Sequence, residues 1–178
     1  MLIRRATAAD AEGVRATIRA VYDEYGFAWY PEGYHLDLYE FESRYIETGV
    51  PFWVAEIDGE IRGTAALEAH PYIVGEGVVR VEGVRRIGET DSSLERVYVH
   101  PSARRLGIGR ALNLSAIDHA QTTGHRGIEI WSDKLFVAAH GLYRSLGAIE
   151  VGERLCHDPE QSPEWGFRLS LGPATNGR

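Results

Sequence analysis

The chain has 178 residues, 44% of them hydrophobic and 25% charged, and a formal charge of −7. That is enough chain for one domain with a real core, and the wrong sign for a protein whose main partner is a nucleic-acid backbone. The single cysteine, Cys156, excludes an internal disulfide and any cysteine-rich zinc site, and no apolar run nears the roughly 20 residues of a membrane helix.

Residues 2 to 6 read as a first strand, behind an N-terminus too polar for a signal peptide; the expected location is cytoplasmic. Thr7 is an N-cap with Asp10 in a capping-box position, and Val14, Ile18, Val21, Tyr22 and Tyr25 mark one face of a helix that Gly26 ends. A loop with Pro31 and Gly33 leads to a second helix over 36–48, stopped by Gly49 and Pro51. Phe52 to Ile57 and Glu60 to His70 form a hairpin across Asp58-Gly59. The stretch from Pro71 to Thr90 is compatible with a strand extension, a small extra hairpin or a loop. Ser92 to Val99 is a strand, 100–106 a loop, and Gly107 opens a helix to about Thr123. Then come a strand over 127–131, a helix over 135–146 stopped by Gly147, and strands over 148–154 and 164–171.

The order β-α-α-β-β-β-α-β-α-β-β predicts a mixed α/β fold rather than a doubly wound one, which would alternate from the start. One domain over 1–172 with a flexible tail at 173–178 is expected.

The chemistry concentrates in Leu94-Glu-Arg-Val-Tyr-Val-His-Pro-Ser-Ala-Arg-Arg-Leu-Gly-Ile-Gly-Arg. Gly107 and Gly109 allow close backbone approach, and the helix they open offers unpaired N–H groups and a positive dipole end to a phosphate. Arg104, Arg105 and Arg110 add charge. A Gly-x-Gly that merely packs a helix on a sheet, beside solvated arginines, is the competing explanation. A dinucleotide fingerprint fails because Arg105 stands where its first glycine belongs, and a P-loop fails for want of Gly-Lys-Ser/Thr.

Arg104-x-x-Gly107-x-Gly109, after a strand ending Val97-Tyr98-Val99, resembles the signature of the GNAT acetyltransferase superfamily. Ala139 to Ala148, with Tyr143 and Gly147, resembles a second family segment, and the element order is similar over 2–171. The resemblance implies a sheet splayed at its fourth and fifth strands, with acetyl-CoA as cosubstrate, no metal, and direct attack of an amine through a tetrahedral intermediate. It places Val97, Tyr98 and Val99 along the pantetheine arm, and Arg104, Arg105, Leu106, Gly107, Ile108, Gly109 and Arg110 around the pyrophosphate. The Val97 amide is then positioned to stabilise an oxyanion. Tyr143 is the candidate acid for the departing thiolate, against a plain packing role.

The resemblance has two departures. Ser93 stands where many relatives carry glutamate, and Phe136 where they often carry asparagine. Strand alternation puts Ser93, Glu95, Val97 and Val99 on one face, which makes Glu95 the leading base candidate, against a salt-bridge role; His70, His140 and Asp133 follow. Cys156 lies outside the matched motifs and reads as a bystander.

Of 18 aromatic residues, 9 fall between positions 22 and 45, the region that covers the acceptor in the family. Phe27, Trp29, Tyr30 and Tyr34, in the loop, are the candidate acceptor contacts, and Tyr22, Tyr25, Phe41 and Tyr45 read as core. Nearby acids favour a small cationic amine. A protein or peptide amine and a CoA-binding module without turnover are the alternatives, and a homodimer is left open.

Overall fold

The computed structural model describes residues 1–172; the predicted tail at 173–178 lies outside the described residues. In chain order the first elements are β1 (Leu2–Arg5), α1 (Ala11–Tyr25), α2 (Leu36–Tyr39), β2 (Phe52–Ile57) and β3 (Glu60–Ile73). They are followed by β4 (Val78–Val81), β5 (Val84–Ile87), β6 (Thr90–Val99) and α3 (Ile108–Thr122). The last are β7 (Gly127–Asp133), α4 (Val137–Ser145), β8 (Ile149–Leu155) and β9 (Pro163–Ser170). Seven strands form a mixed sheet in the order β1-β2-β3-β6-β7-β9-β8, and β4 and β5 form a sheet of their own. Contacts divide the chain into two compact units, 1–67 with 96–116, and 68–95 with the described residues from 117 onward.

In the first unit, the Thr7 backbone N–H and hydroxyl both donate to Asp10 at 2.8 and 3.0 Å, fixing the entry to α1 as its capping pattern predicts. Arg4 donates to the same carboxylate and holds Asp10 below the usual carboxylate range. The inward face of α1 buries Val14, Ile18, Val21 and Tyr22, and Gly26 at φ 71° ends the helix. Asp58 and Gly59, both at positive φ, make the tight β2–β3 hairpin turn. Gly63 lets α3 seat, since a Cβ there would lie 2.5 Å from Ile108 and 2.9 Å from Leu112.

The second predicted helix is not continuous. α2 stops at Tyr39 and residues 42–46 form a wide π-helical turn. Leu38, Phe41 and Tyr45, spaced i, i+3 and i+7, still share one face and all reach the core around Phe52.

In the second unit, the undecided stretch after Pro71 resolves into two of its three alternatives. β3 continues to Ile73, and β4 and β5 form an extra hairpin, with Glu82 and Gly83 at positive φ in its turn. β6 and β7 run parallel, β7–β9 and β9–β8 antiparallel, so the last strand in sequence inserts between its two predecessors. The core of this unit centres on Phe167, against which the rings of His140 and Tyr143 pack at 5.4 and 5.6 Å.

Candidate active site

The loop before α3 has the predicted form. Ala103 and Ile108 are buried and anchor its ends, while Arg104, Arg105, Leu106 and Gly107 are exposed between them. Arg105 and Gly107 both take positive φ, 64° and 79°, which bends the chain around Leu106. The first helical bond of α3 runs from the Ala111 N–H to the Gly107 carbonyl at 3.0 Å. The amides of Ile108, Gly109 and Arg110 are therefore those that a helix start leaves without an acceptor inside the helix. Those amides, two glycines and three arginines fit a pyrophosphate. Arg104 donates through both terminal nitrogens to Glu24, near the end of α1, and lies 5.9 Å over Tyr25.

β6 departs from a plain strand. Its rungs with β7 run from Ser92↔Ile128 to Leu94↔Ile130, and none joins the two strands beyond. Arg96 sits at φ 51°, outside anything an extended residue adopts. This corrects the alternation expected from sequence. The face shared by Ser93 and Glu95 does not carry through Arg96 to Val97 and Val99, because the bulge resets the phase of the pleat.

Arg96 is also largely withdrawn from solvent and paired. Its Nε and Nη2 donate to the Asp37 carboxylate at 2.9 and 2.6 Å, and Nη2 also donates to the Tyr34 carbonyl at 2.7 Å. Burial works against this charge, and Asp37 more than offsets it, holding the guanidinium well above the ordinary arginine value. Tyr45 donates to Asp37 at 2.5 Å. The Arg96 carbonyl accepts from the hydroxyl of Thr64, a fully buried residue on β3, at 2.7 Å.

The acceptor-side aromatics pack more closely than sequence suggested. Phe27, Trp29 and Tyr34 lie against the core cluster of the first unit, and Tyr22 meets Phe27 and Trp29 edge-on at 5.6 and 5.4 Å. Tyr22 and Tyr98 share a hydroxyl contact of 3.4 Å. At their centre is His35, which sequence reasoning missed. It is fully buried, stacked 3.8 Å from Trp29, with Tyr22 and Tyr34 edge-on. Its Nδ1 accepts the Tyr30 N–H at 3.1 Å, so Nε2 carries the proton of the neutral ring. Burial, with Arg96 nearby, pushes its pKa down to about 4.

In the second unit, Tyr143 on α4 is buried, and Glu95 is the half-buried residue just before the bulge. The carboxylate absent at Ser93 has a neighbour in register: Ser93 donates to Glu129 on β7 at 2.8 Å. Glu129 also accepts from Arg86 at 2.6 Å and the Ile87 N–H at 2.8 Å, so it ties β5 to the sheet. Of the further base candidates, His140 donates to the Asp133 carbonyl at 3.0 Å and Asp133 accepts the Leu135 N–H at 2.7 Å. Both stabilise the start of α4. His70 contacts the Pro71 carbonyl through its Nδ1 at 2.9 Å. Among the described residues no cluster suited to a metal ion occurs.

Arg96, Thr64, His35 and Glu129 all escaped sequence reasoning. One signal was available: an arginine between Leu94 and Val97-Tyr98-Val99 in a strand needs a buried partner. Nothing in the sequence says which of the nearby acids provides it.

The chain is 29% identical over 120 residues to the N-acetylaspartate synthetase of Danio rerio, covering 67% of this chain and 37% of that protein. It therefore spans little more than a third of the length of that relative. It is 28% identical over 150 residues to YjgM of Escherichia coli K12, an uncharacterized N-acetyltransferase, covering 82% and 80% of the two chains. Its fold is similar to yncA of Salmonella typhimurium, solved with its cofactor acetyl-CoA, at a TM-score of 0.70 and 22% identity, covering 100% and 98%. With residues 18–148 matching the family profile, the chain belongs to the Acetyltransferase (GNAT) family.

Proposed function

We propose that the chain transfers an acetyl group from acetyl-CoA to the primary amine of a small molecule. Family membership makes it an acetyl-CoA-dependent acyltransferase. The observation that carries the reading is the 104–110 loop, where an exposed arginine-rich turn meets the unsatisfied amides of α3.

Acetyl-CoA supplies the activated thioester. In this reading Val97, Tyr98 and Val99 contact its arm, and residues 104 to 110 hold its pyrophosphate. The Val97 N–H donates to the carbonyl oxygen as the amine nitrogen adds to the carbonyl carbon. The half-buried Glu95, which shares no face with Val97 but is the nearest carboxylate to it in the sequence, accepts the proton that the amine loses. As the carbon–sulfur bond breaks, Tyr143 gives its phenolic proton to the departing sulfur. Phe27, Trp29, Tyr30 and Tyr34 line the acceptor side.

Three of the acids near the acceptor side are already paired, which leaves less negative charge for a cationic acceptor. Asp23 is bound to Arg19, Glu24 to Arg104, and Asp37 to Arg96. An amino acid therefore joins the polyamines as a candidate acceptor, in keeping with the name of the synthetases the chain resembles. The test is thioester consumption with L-aspartate, other amino acids, spermidine and an alanine-terminated peptide as separate acceptors. Turnover with a free amino acid or polyamine, reduced at least about tenfold in Tyr143→Phe, supports the reading. Turnover with the peptide alone overturns the small-molecule assignment, and tight acetyl-CoA binding without turnover of any amine overturns the enzymatic one.

A further inference from the structure

We propose that Arg96, Asp37 and Thr64 are positioning residues that lock the Arg96–Val97 peptide, so that the Val97 N–H faces the edge of β6 left without a neighbouring strand. The role of that N–H in acyl transfer rests on the reading above; the clamp itself rests on the geometry.

A non-glycine residue at φ 51° inside a strand is strained, and such a residue persists where its surroundings over-determine it. Here they do so from two sides. The Arg96 side chain is held by Asp37 through two hydrogen bonds and by the Tyr34 carbonyl through a third. Asp37 is in turn fixed by Tyr45. The Arg96 carbonyl accepts from the buried Thr64 hydroxyl.

The direction of the amide follows from these contacts. The Arg96–Val97 peptide is trans, so its N–H points opposite to its C=O. The carbonyl points toward Thr64 on β3, the neighbour of β6 on one edge. The Val97 N–H therefore points to the other edge, where the last rung to β7 lies behind at Leu94. A peptide bonded along only one edge of a strand keeps freedom to rock. The clamp removes the freedom, which is what a donor aimed at developing charge requires. Because Asp37 and Tyr34 belong to the segment proposed to cover the acceptor, the same contacts tie that segment to the donor.

Three variants test the clamp. Arg96→Ala and Arg96→Gly remove the same side-chain contacts, but only glycine tolerates the left-handed backbone without a Cβ penalty. Thr64→Val removes the carbonyl contact at nearly constant shape. Thermal unfolding is measured first, and kinetics use acetyl-CoA with the fastest amine of the panel. Thr64→Val should lower kcat about tenfold and Arg96→Ala more, each with the acetyl-CoA KM within about twofold, and Arg96→Gly should retain about fivefold more kcat than Arg96→Ala. Equal kcat in the two Arg96 variants, or wild-type kcat in Thr64→Val, overturns the proposal.

A second readout needs no turnover. In the 15N-labelled protein the Val97 amide resonance should shift in Arg96→Ala and Thr64→Val. An unchanged Val97 resonance overturns the clamp even if wild type proves active. A wild type inactive on every amine, with Val97 displaced as expected, overturns the acyl-transfer reading and leaves the clamp standing.

Discussion

Arg96 and Arg104 stand eight positions apart, and each holds one carboxylate in a different medium. The Arg104–Glu24 pair is 38% and 40% exposed; the Arg96–Asp37 pair is 12% and 17% exposed and carries further bonds from Tyr34 and Tyr45. An exposed pair is worth little and exchanges with water or a competing anion. A buried pair is expensive to break, because the partner left behind has nowhere to put its charge. The same residue type is thus exchangeable in the cofactor loop and structural in the strand beside it. This suits a loop that must yield its arginine to a phosphate and a strand that must not move.

The sharpest way to break this contrast is to remove each arginine in turn. Arg96→Ala should lose about 3–5 kcal/mol of stability by urea unfolding, since Asp37 stays buried, whereas Arg104→Ala should stay within about 0.5 kcal/mol of wild type. Similar losses at both sites would erase the distinction. Next in size is a pH effect on the buried side. His35 is held near pKa 4, against 6.5 in the unfolded chain. The unfolded state therefore binds the extra proton between those values, and stability is complete above pH 6.5 and falls as the pH drops toward 4. The expected loss is on the order of 2 kcal/mol, read by unfolding at a series of pH values, and His35→Phe should flatten it.

On the exposed side, Gly107→Val forces a β-branched residue to φ 79°, where a Cβ meets open space but the backbone is strained. CoA affinity by calorimetry should fall about tenfold. Arg104→Ala should weaken CoA about threefold, more at low salt than at high salt. The smallest effect has the opposite sign: Glu24→Gln releases Arg104 and should tighten CoA about twofold. Weaker binding there would mean that Glu24 presents Arg104 to the phosphate and does not compete for it.

Legibility followed the same division. The loop was readable because its parts are contiguous: Gly107, Gly109 and the arginines lie within seven residues, and a helix start presents amides whatever packs elsewhere. The hairpin at Asp58-Gly59, the cap at Thr7 and the stop at Gly26 were readable for the same local reason. The helix predicted over 36–48 is broken at Glu40 and widened over 42–46, although Leu38, Phe41 and Tyr45 keep the helical spacing that marked it in the sequence. The face drawn through Ser93, Glu95, Val97 and Val99 failed because alternation assumes an unbroken pleat, and Arg96 breaks it.

By itself, the amino-acid sequence determined the order of elements, the phosphate-type loop and the family resemblance, all properties of short contiguous segments. Only the tertiary structure decided which acid takes which arginine, that Thr64 captures the Arg96 carbonyl, that Glu129 comes to Ser93, and that His35 is sealed among Tyr22, Trp29 and Tyr34. The Arg96–Asp37, Arg104–Glu24, Thr64–Arg96 and Ser93–Glu129 pairings join residues from 32 to 80 positions apart, and the strength of the buried ones depends on removal from water, which no local pattern of residues records.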